Sequence, residues 1–198
     1  MSWLMSWLMP RLLTPLPTGL WRPLRALLRD SSGIAAVEFG FALPVMVIMF
    51  CGLFEVSMAI IVYMKVIDVA DTISDLTAQY KQVSSSDFDN FLTAGQLVML
   101  PDSGTGLGLA IASVKFDPNT GATTADWQVT RGGGAQMTDL LTVSAGLGSP
   151  GESVIVARAT YTYTSILKYI LPNGIPISSR VFSRPRLVTA VTCTAPCN

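Results

Sequence analysis

The chain has 198 residues, half of them hydrophobic and only 13% charged, against roughly 25% charged residues in ordinary soluble domains. Lysines plus arginines balance acids at 13 each, so the formal net charge is zero and there is no general electrostatic case for nucleic acid. Histidine is absent, which excludes Ser-His-Asp and Cys-His catalysis and every histidine-bearing metal site.

Residues 1–33 read as a leader, disordered and weakly associated with the membrane. The opening MSWLMSWLM repeats MSWL in tandem, and Pro10, Pro15, Pro17 and Pro23 break any long helix. Arg11, Arg22, Arg25 and Arg29 face a single acid, Asp30. The apolar patches between them are too short to span a bilayer.

From Ile34 to Met64 the chain is apolar, with Glu38 and Glu55 as its acids. This stretch predicts a transmembrane helix over 34–64. Its 31 residues rise about 46 Å, longer than a hydrocarbon core of about 30 Å. The arginines before it place the N-terminus in the cytoplasm by the positive-inside rule. Residues 65–198 then form an outer domain, periplasmic in a bacterial inner-membrane setting. Beyond Met64 the pattern turns amphipathic. Val66, Val69, Ala70, Ile73, Leu76 and Tyr80 fall on one face, and Asp68, Asp71, Asp75 and Gln79 on the other. One helix is therefore expected from about Ile34 to Tyr80.

The remainder predicts strands and loops. Ser84 to Asp87 end the long helix, with Ser86 or Asp87 capping a short one through Phe91 and Leu92. Leu107–Phe116 reads as a strand, Asp117-Pro118-Asn119-Thr120-Gly121 as a turn, and Thr123–Arg131 as its hairpin partner. The Gly132-Gly133-Gly134 run and Gly146–Gly151 read as flexible loops around a short segment at Met137–Val143. Ser153–Thr164 is the clearest strand, rich in β-branched and aromatic residues. A last strand is expected over Ile177–Val191, interrupted by Pro185. The fold class is α+β: a long N-terminal helix whose amphipathic half packs on a small antiparallel sheet.

The chemistry concentrates at Arg29-Asp30-Ser31-Ser32-Gly33-Ile34-Ala35-Ala36-Val37-Glu38-Phe39. A glycine lets a peptidase approach the backbone closely. A carboxylate one turn into a bilayer is costly and asks for a partner, and cleavage after Gly33 would create one in the new α-amino group of Ile34. A second reading leaves Glu38 as an interfacial charge at the start of an ordinary signal anchor, favoured by the helix dipole. Pro44 can kink or locally melt the helix, or be a tolerated membrane proline. Glu55, about 32 Å beyond Ile34 along a straight helix, either reaches headgroups and water or contacts a second subunit. Cys51 reads as a small apolar residue. Cys193 and Cys197 form a terminal C-x3-C pair, open to a small disulfide loop, free thiols or pairing with another chain.

The stretch around Gly33 resembles the processing site of type IV pilin-like proteins. RDSSGIAAVEFGFALPVMV with FCGLFEV is similar to the start of a TadE-like minor pilin (pseudopilin) of the tight-adherence (Tad, Flp-type) pilus system. The likeness is close over Arg29–Val62 and looser over Val154–Arg186, where VIVARATYTYTSILKYILP and VFSRPR carry it. It implies cleavage by a prepilin peptidase between Gly33 and Ile34. Glu38, next to Phe39, would then set axial register against the N-terminal amine of a neighbouring subunit. The implied partners are that peptidase, other minor pilins and the major pilin, the inner-membrane assembly platform and membrane lipid. Neither a cofactor nor a small-molecule substrate is implied. The long leader, and isoleucine after the glycine, depart from the family pattern.

Two other classes compete. A signal-anchored periplasmic binding or signalling domain would keep its leader and be indifferent to Gly33. An anchored hydrolase would need a base for Ser153 or Ser165, and Asp117, Asp126 and Asp139 show no spacing that demands pairing. Gly104, Gly106 and Gly108 do not fit a nucleotide-binding signature. The sequence therefore predicts a non-enzymatic assembly protein.

Overall fold

The computed structural model describes residues 32–165, 174–194 and 197. The leader, apart from its last two residues, and the stretch 166–173 that carried part of the looser resemblance lie outside the described residues. The chain divides into two compact units, residues 1–51 and 52–198.

Helix α1 runs over Ser32–Ala78, two residues short of Tyr80. Its assignment continues through Pro44. In the second unit its apolar stripe is Val62, Val66, Val69, Ala70 and Ile73, each fully buried. The spacing of three and four is that of one helical face. Asp68, Asp71, Asp75 and Gln79 are exposed as expected, but Tyr80, past the helix end, is exposed too.

Helix α2 spans Ser85–Val98, starting earlier and running further than the sequence suggested. Its N-cap is Ser84, not Ser86 or Asp87. Asp87 instead reaches back, accepting from the Ser84 N–H at 2.8 Å and the Ser84 hydroxyl at 2.6 Å. Phe88 and Phe91 turn inward, and Phe88 meets Trp127 at 5.5 Å between ring centroids.

A four-stranded antiparallel sheet follows, in the order β3-β2-β4-β5: β2 Gly108–Phe116, β3 Thr123–Gly132, β4 Ser153–Tyr163 and β5 Ile175–Ser183. In the β2–β3 turn the Asp117 carboxylate accepts from the Asn119 and Thr120 amides, both at 2.8 Å. The Thr120 amide first, then that of Asn119, holds this carboxyl below its usual range. A two-residue strand β1, Gln82–Val83, pairs in parallel with β6, Thr192–Cys193.

Both faces of the sheet are covered. Leu109, Ile111, Val129, Ile155 and Ala157 meet α1 and α2 in one core. The alternate residues Ala110, Ala112, Val114, Val154 and Val156 form a second core with Met137 and Leu140. Leu140 opens α3, Leu140–Ser144. The glycines before it are a close-packed turn rather than the flexible loop expected, since a Cβ at Gly134 would strike the Leu109 carbonyl.

The predicted strand over Ile177–Val191 is instead β5, which ends before Pro185, followed by a strap. The strap is held by three crossings. Arg186 N–H donates to the Ala78 carbonyl at 2.9 Å, the Ser153 hydroxyl to the Thr189 carbonyl at 2.8 Å, and the Trp127 indole to the Val191 carbonyl at 2.8 Å. The Asp75–Arg186 ion pair beside them is exposed on both sides, so it adds little. Phe88→Ala should therefore cost about 3–5 kcal/mol of domain stability, and Asp75→Asn no more than about 1 kcal/mol. Chemical denaturation of the detergent-solubilised chain, followed by circular dichroism, checks both.

Candidate functional site

From Ile34 to Phe50 every large apolar side chain is between 42% and 79% exposed. A helix apolar on all sides cannot be covered by a single sheet and belongs in lipid or among other helices. The first unit supplies no other described element to cover it. Eighteen residues from Gly33 to Phe50 rise about 27 Å, close to a hydrocarbon core of about 30 Å. The helix is long and apolar enough to cross a membrane.

Gly33 stands one residue inside α1, and a Cβ there would meet nothing within 4 Å. Among the described residues, no packing contact favours glycine at this position. Ile34 and Glu38 are four residues apart, so they share a helix face. Both are exposed, as is Phe39.

Glu55 behaves differently. It is 4% exposed, and the Tyr163 hydroxyl, at the end of β4, donates to its Oε2 at 3.0 Å. The sequence set headgroups or water against a second subunit for this carboxylate. The structure gives it a ligand from its own chain, 108 residues away. Tyr163 is 5% exposed, and its pKa is pushed up to about 12, first by burial and then by the hydrogen bond and negative charge of Glu55. Beside the pair lies an apolar groove of about 540 Å³, lined by Gly52, Val56, Ala59, Ile60 and Tyr63 of α1 and by Ile175 to Ile177 of β5.

Sequence reading also missed Lys65, the first cation after the apolar run. Its ammonium donates to the Met99 and Leu100 carbonyls at 3.3 and 3.0 Å and to the Asp102 carboxylate at 2.5 Å. The lysine after a hydrophobic span was legible, but the helix end it clasps was not, because the short helix reads from sequence only through Phe91 and Leu92 and runs on to Val98. Cys193 and Cys197 are joined as a disulfide, and Cys51 is a free, half-buried thiol.

Of the residues weighed for hydrolysis, Ser153, Asp117, Asp126 and Asp139 are dispersed into structural roles, while the Ser165 hydroxyl is buried without a hydrogen-bond partner among the described residues. Asp126 pairs with Lys115, Asp139 with Arg180, and the Ser153 hydroxyl secures the strap. Among the described residues no group of three or more metal-ligating side chains occurs.

The family model described as TadE-like protein matches residues 33–74. Over that stretch the chain is similar to TadE-like proteins. The match begins at Gly33, takes in Glu38, Pro44 and Glu55, and ends inside the buried part of α1, so it does not extend to the sheet. No curated protein and no solved structure matches the chain.

The Tyr163 geometry fixes the sign of an alkaline transition. A tyrosine raised from 10.0 to about 12 contributes stability that is complete below pH 10 and lost as pH rises through about 12. Two pKa steps correspond to about 3 kcal/mol. Melting temperatures measured from pH 9 upward should fall more steeply in the wild type than in Tyr163→Phe, which is already weaker at neutral pH.

Proposed function

We propose that this chain is a minor pilin, or pseudopilin, of a Tad (Flp-type) adhesive pilus, acting through subunit packing and not through catalysis. The observation that carries the reading is the coincidence at one helix end. An apolar cylinder that no described residue of its own unit covers begins at a glycine with no packing contact among the described residues, and Glu38 lies within its second turn. The TadE-like match starts at that same glycine.

In this reading the chain inserts into the bacterial inner membrane with its arginines inside, and a prepilin peptidase cuts between Gly33 and Ile34. The outer α+β domain lies in the periplasm. The freed helix leaves lipid to pack against other minor pilins and the major pilin, with Glu38 meeting a neighbour's N-terminal amine. A misregistered neighbour would bury two unpaired charges, which costs several kcal/mol and so selects axial register. Pro44 removes one backbone donor from the cylinder and eases repacking between bilayer and filament. The domain caps or primes the filament, or couples it to the assembly platform.

Two substitutions separate the steps. Gly33→Phe should leave an uncleaved leader and abolish surface pili, scored by immunoblot and electron microscopy. Glu38→Gln should be cleaved and membrane-bound yet absent from the sheared pilus fraction, with piliation reduced at least about tenfold for a lost pairing of more than about 1.4 kcal/mol. Normal pili with Gly33→Phe would overturn the proposal and favour a signal-anchored domain with no filament role.

A further inference from the structure

The groove beside Glu55 is one of two apolar patches at neighbouring heights along α1. The second lies at the C-terminal end of α2, where Leu97 and Leu100 are 63% and 59% exposed. Lys65 fixes that height, because its ammonium donates to the Leu100 carbonyl at 3.0 Å. It stands one residue beyond Met64 and two beyond Tyr63, which are themselves exposed. The groove lies mainly one to three turns before Lys65 and reaches its turn of α1 through Tyr63. The opposite end of the domain is different in character. There Arg186 caps Ala78 and pairs with Asp75, thirteen residues beyond Lys65 and so about 20 Å along the helix.

We propose that this lower face of the domain rests in the headgroup–acyl boundary of the leaflet it faces, and that the occupant of its groove is lipid acyl chain. The inference rests on the membrane-spanning reading of α1 and adds a surface to it. Three features select lipid. The first is continuity: beyond Phe50 the exposed helix surface stays largely apolar through Leu53, Phe54, Val56, Ile60, Ile61 and Met64, and the exposed serine among them, Ser57, turns its hydroxyl back to the Leu53 carbonyl at 2.8 Å. The second is length. Helical rise from Ile34 to Met64 is about 46 Å against about 40–45 Å for a bilayer with its headgroups, so the groove over Gly52 to Tyr63 falls across the upper acyl chains and the headgroups. The third is chemistry at the boundary. Tyr63 offers an apolar ring with a polar tip, the type enriched at membrane interfaces. The Lys65 charge is neutralised by Asp102 at 2.5 Å, so the contact is apolar and not driven by anionic headgroups.

The test uses the full chain in vesicles of phosphatidylethanolamine and phosphatidylglycerol, with Cys51→Ala as background and single cysteines replacing Phe41, Leu100 or Leu187. Each carries an environment-sensitive fluorophore, and lipids bear a nitroxide either high on the acyl chain or near its end. We expect Leu100→Cys to lose fluorescence mainly to the high nitroxide, Phe41→Cys mainly to the deep one, and Leu187→Cys to neither. Leu187 is the exposed residue after Arg186, at the far end. The pattern should persist when phosphatidylglycerol is omitted. An unquenched label at position 100 with position 41 quenched would overturn this proposal and leave the membrane span intact. An unquenched label at position 41 would instead remove the span. Quenching at position 100 that disappears as protein is raised relative to lipid assigns the face to a second copy and also overturns the proposal, as does quenching lost without the anionic lipid.

Discussion

The architecture depends on how α1 distributes its apolar surface. Before Gly52 that surface runs around the whole cylinder, and no single sheet can bury a cylinder. After Val62 it narrows to one stripe, and the stripe is fully buried. Between them stands Glu55, a carboxylate in an otherwise apolar stretch. It is drawn into the domain by Tyr163, so the last turn of β4 is tied to the helix at the point where its surroundings change.

The second half of α1 acts as the spine of an ordinary α+β core. One face of the sheet meets α1 and α2 through Leu109, Ile111 and Ile155, and the other is sealed by Met137 and Leu140. The strap from Arg186 to Thr194 runs back past Ala78, Thr189's partner Ser153, and Trp127. The terminal disulfide closes a loop too short to restrict the unfolded chain much, so its effect is local to β6.

Much of this was legible in the sequence, and the limits follow from range. The helix, the Asp117 turn and strands β2, β3 and β4 carry their signals within a few residues, as periodicity, turn chemistry or β-branching. The N-cap of α2 was misplaced because Ser84, Ser85, Ser86 and Asp87 all suit the position, and only the backbone decides that Asp87 serves as the reciprocal partner. The strap was taken as a continuation of the last strand because Val188 and Val191 resemble strand residues, while its hydrogen bonds go to three distant elements. Within the candidate site, Gly33, Glu38 and Phe39 were proposed from sequence alone, being close together in it. The Glu55–Tyr163 pair and the Lys65 clasp on α2 span 108 and 35 residues, and no local pattern encodes them.

The central claim is that α1 begins, in the mature protein, at Ile34 with a free amine one turn from Glu38. N-terminal sequencing and intact mass of the wild-type protein, purified from membranes with its prepilin peptidase present and absent, test this directly. The account predicts an N-terminus at Ile34 only when the peptidase is present. A leader retained in both samples would contradict it and leave Glu38 an interfacial charge with no amine to meet.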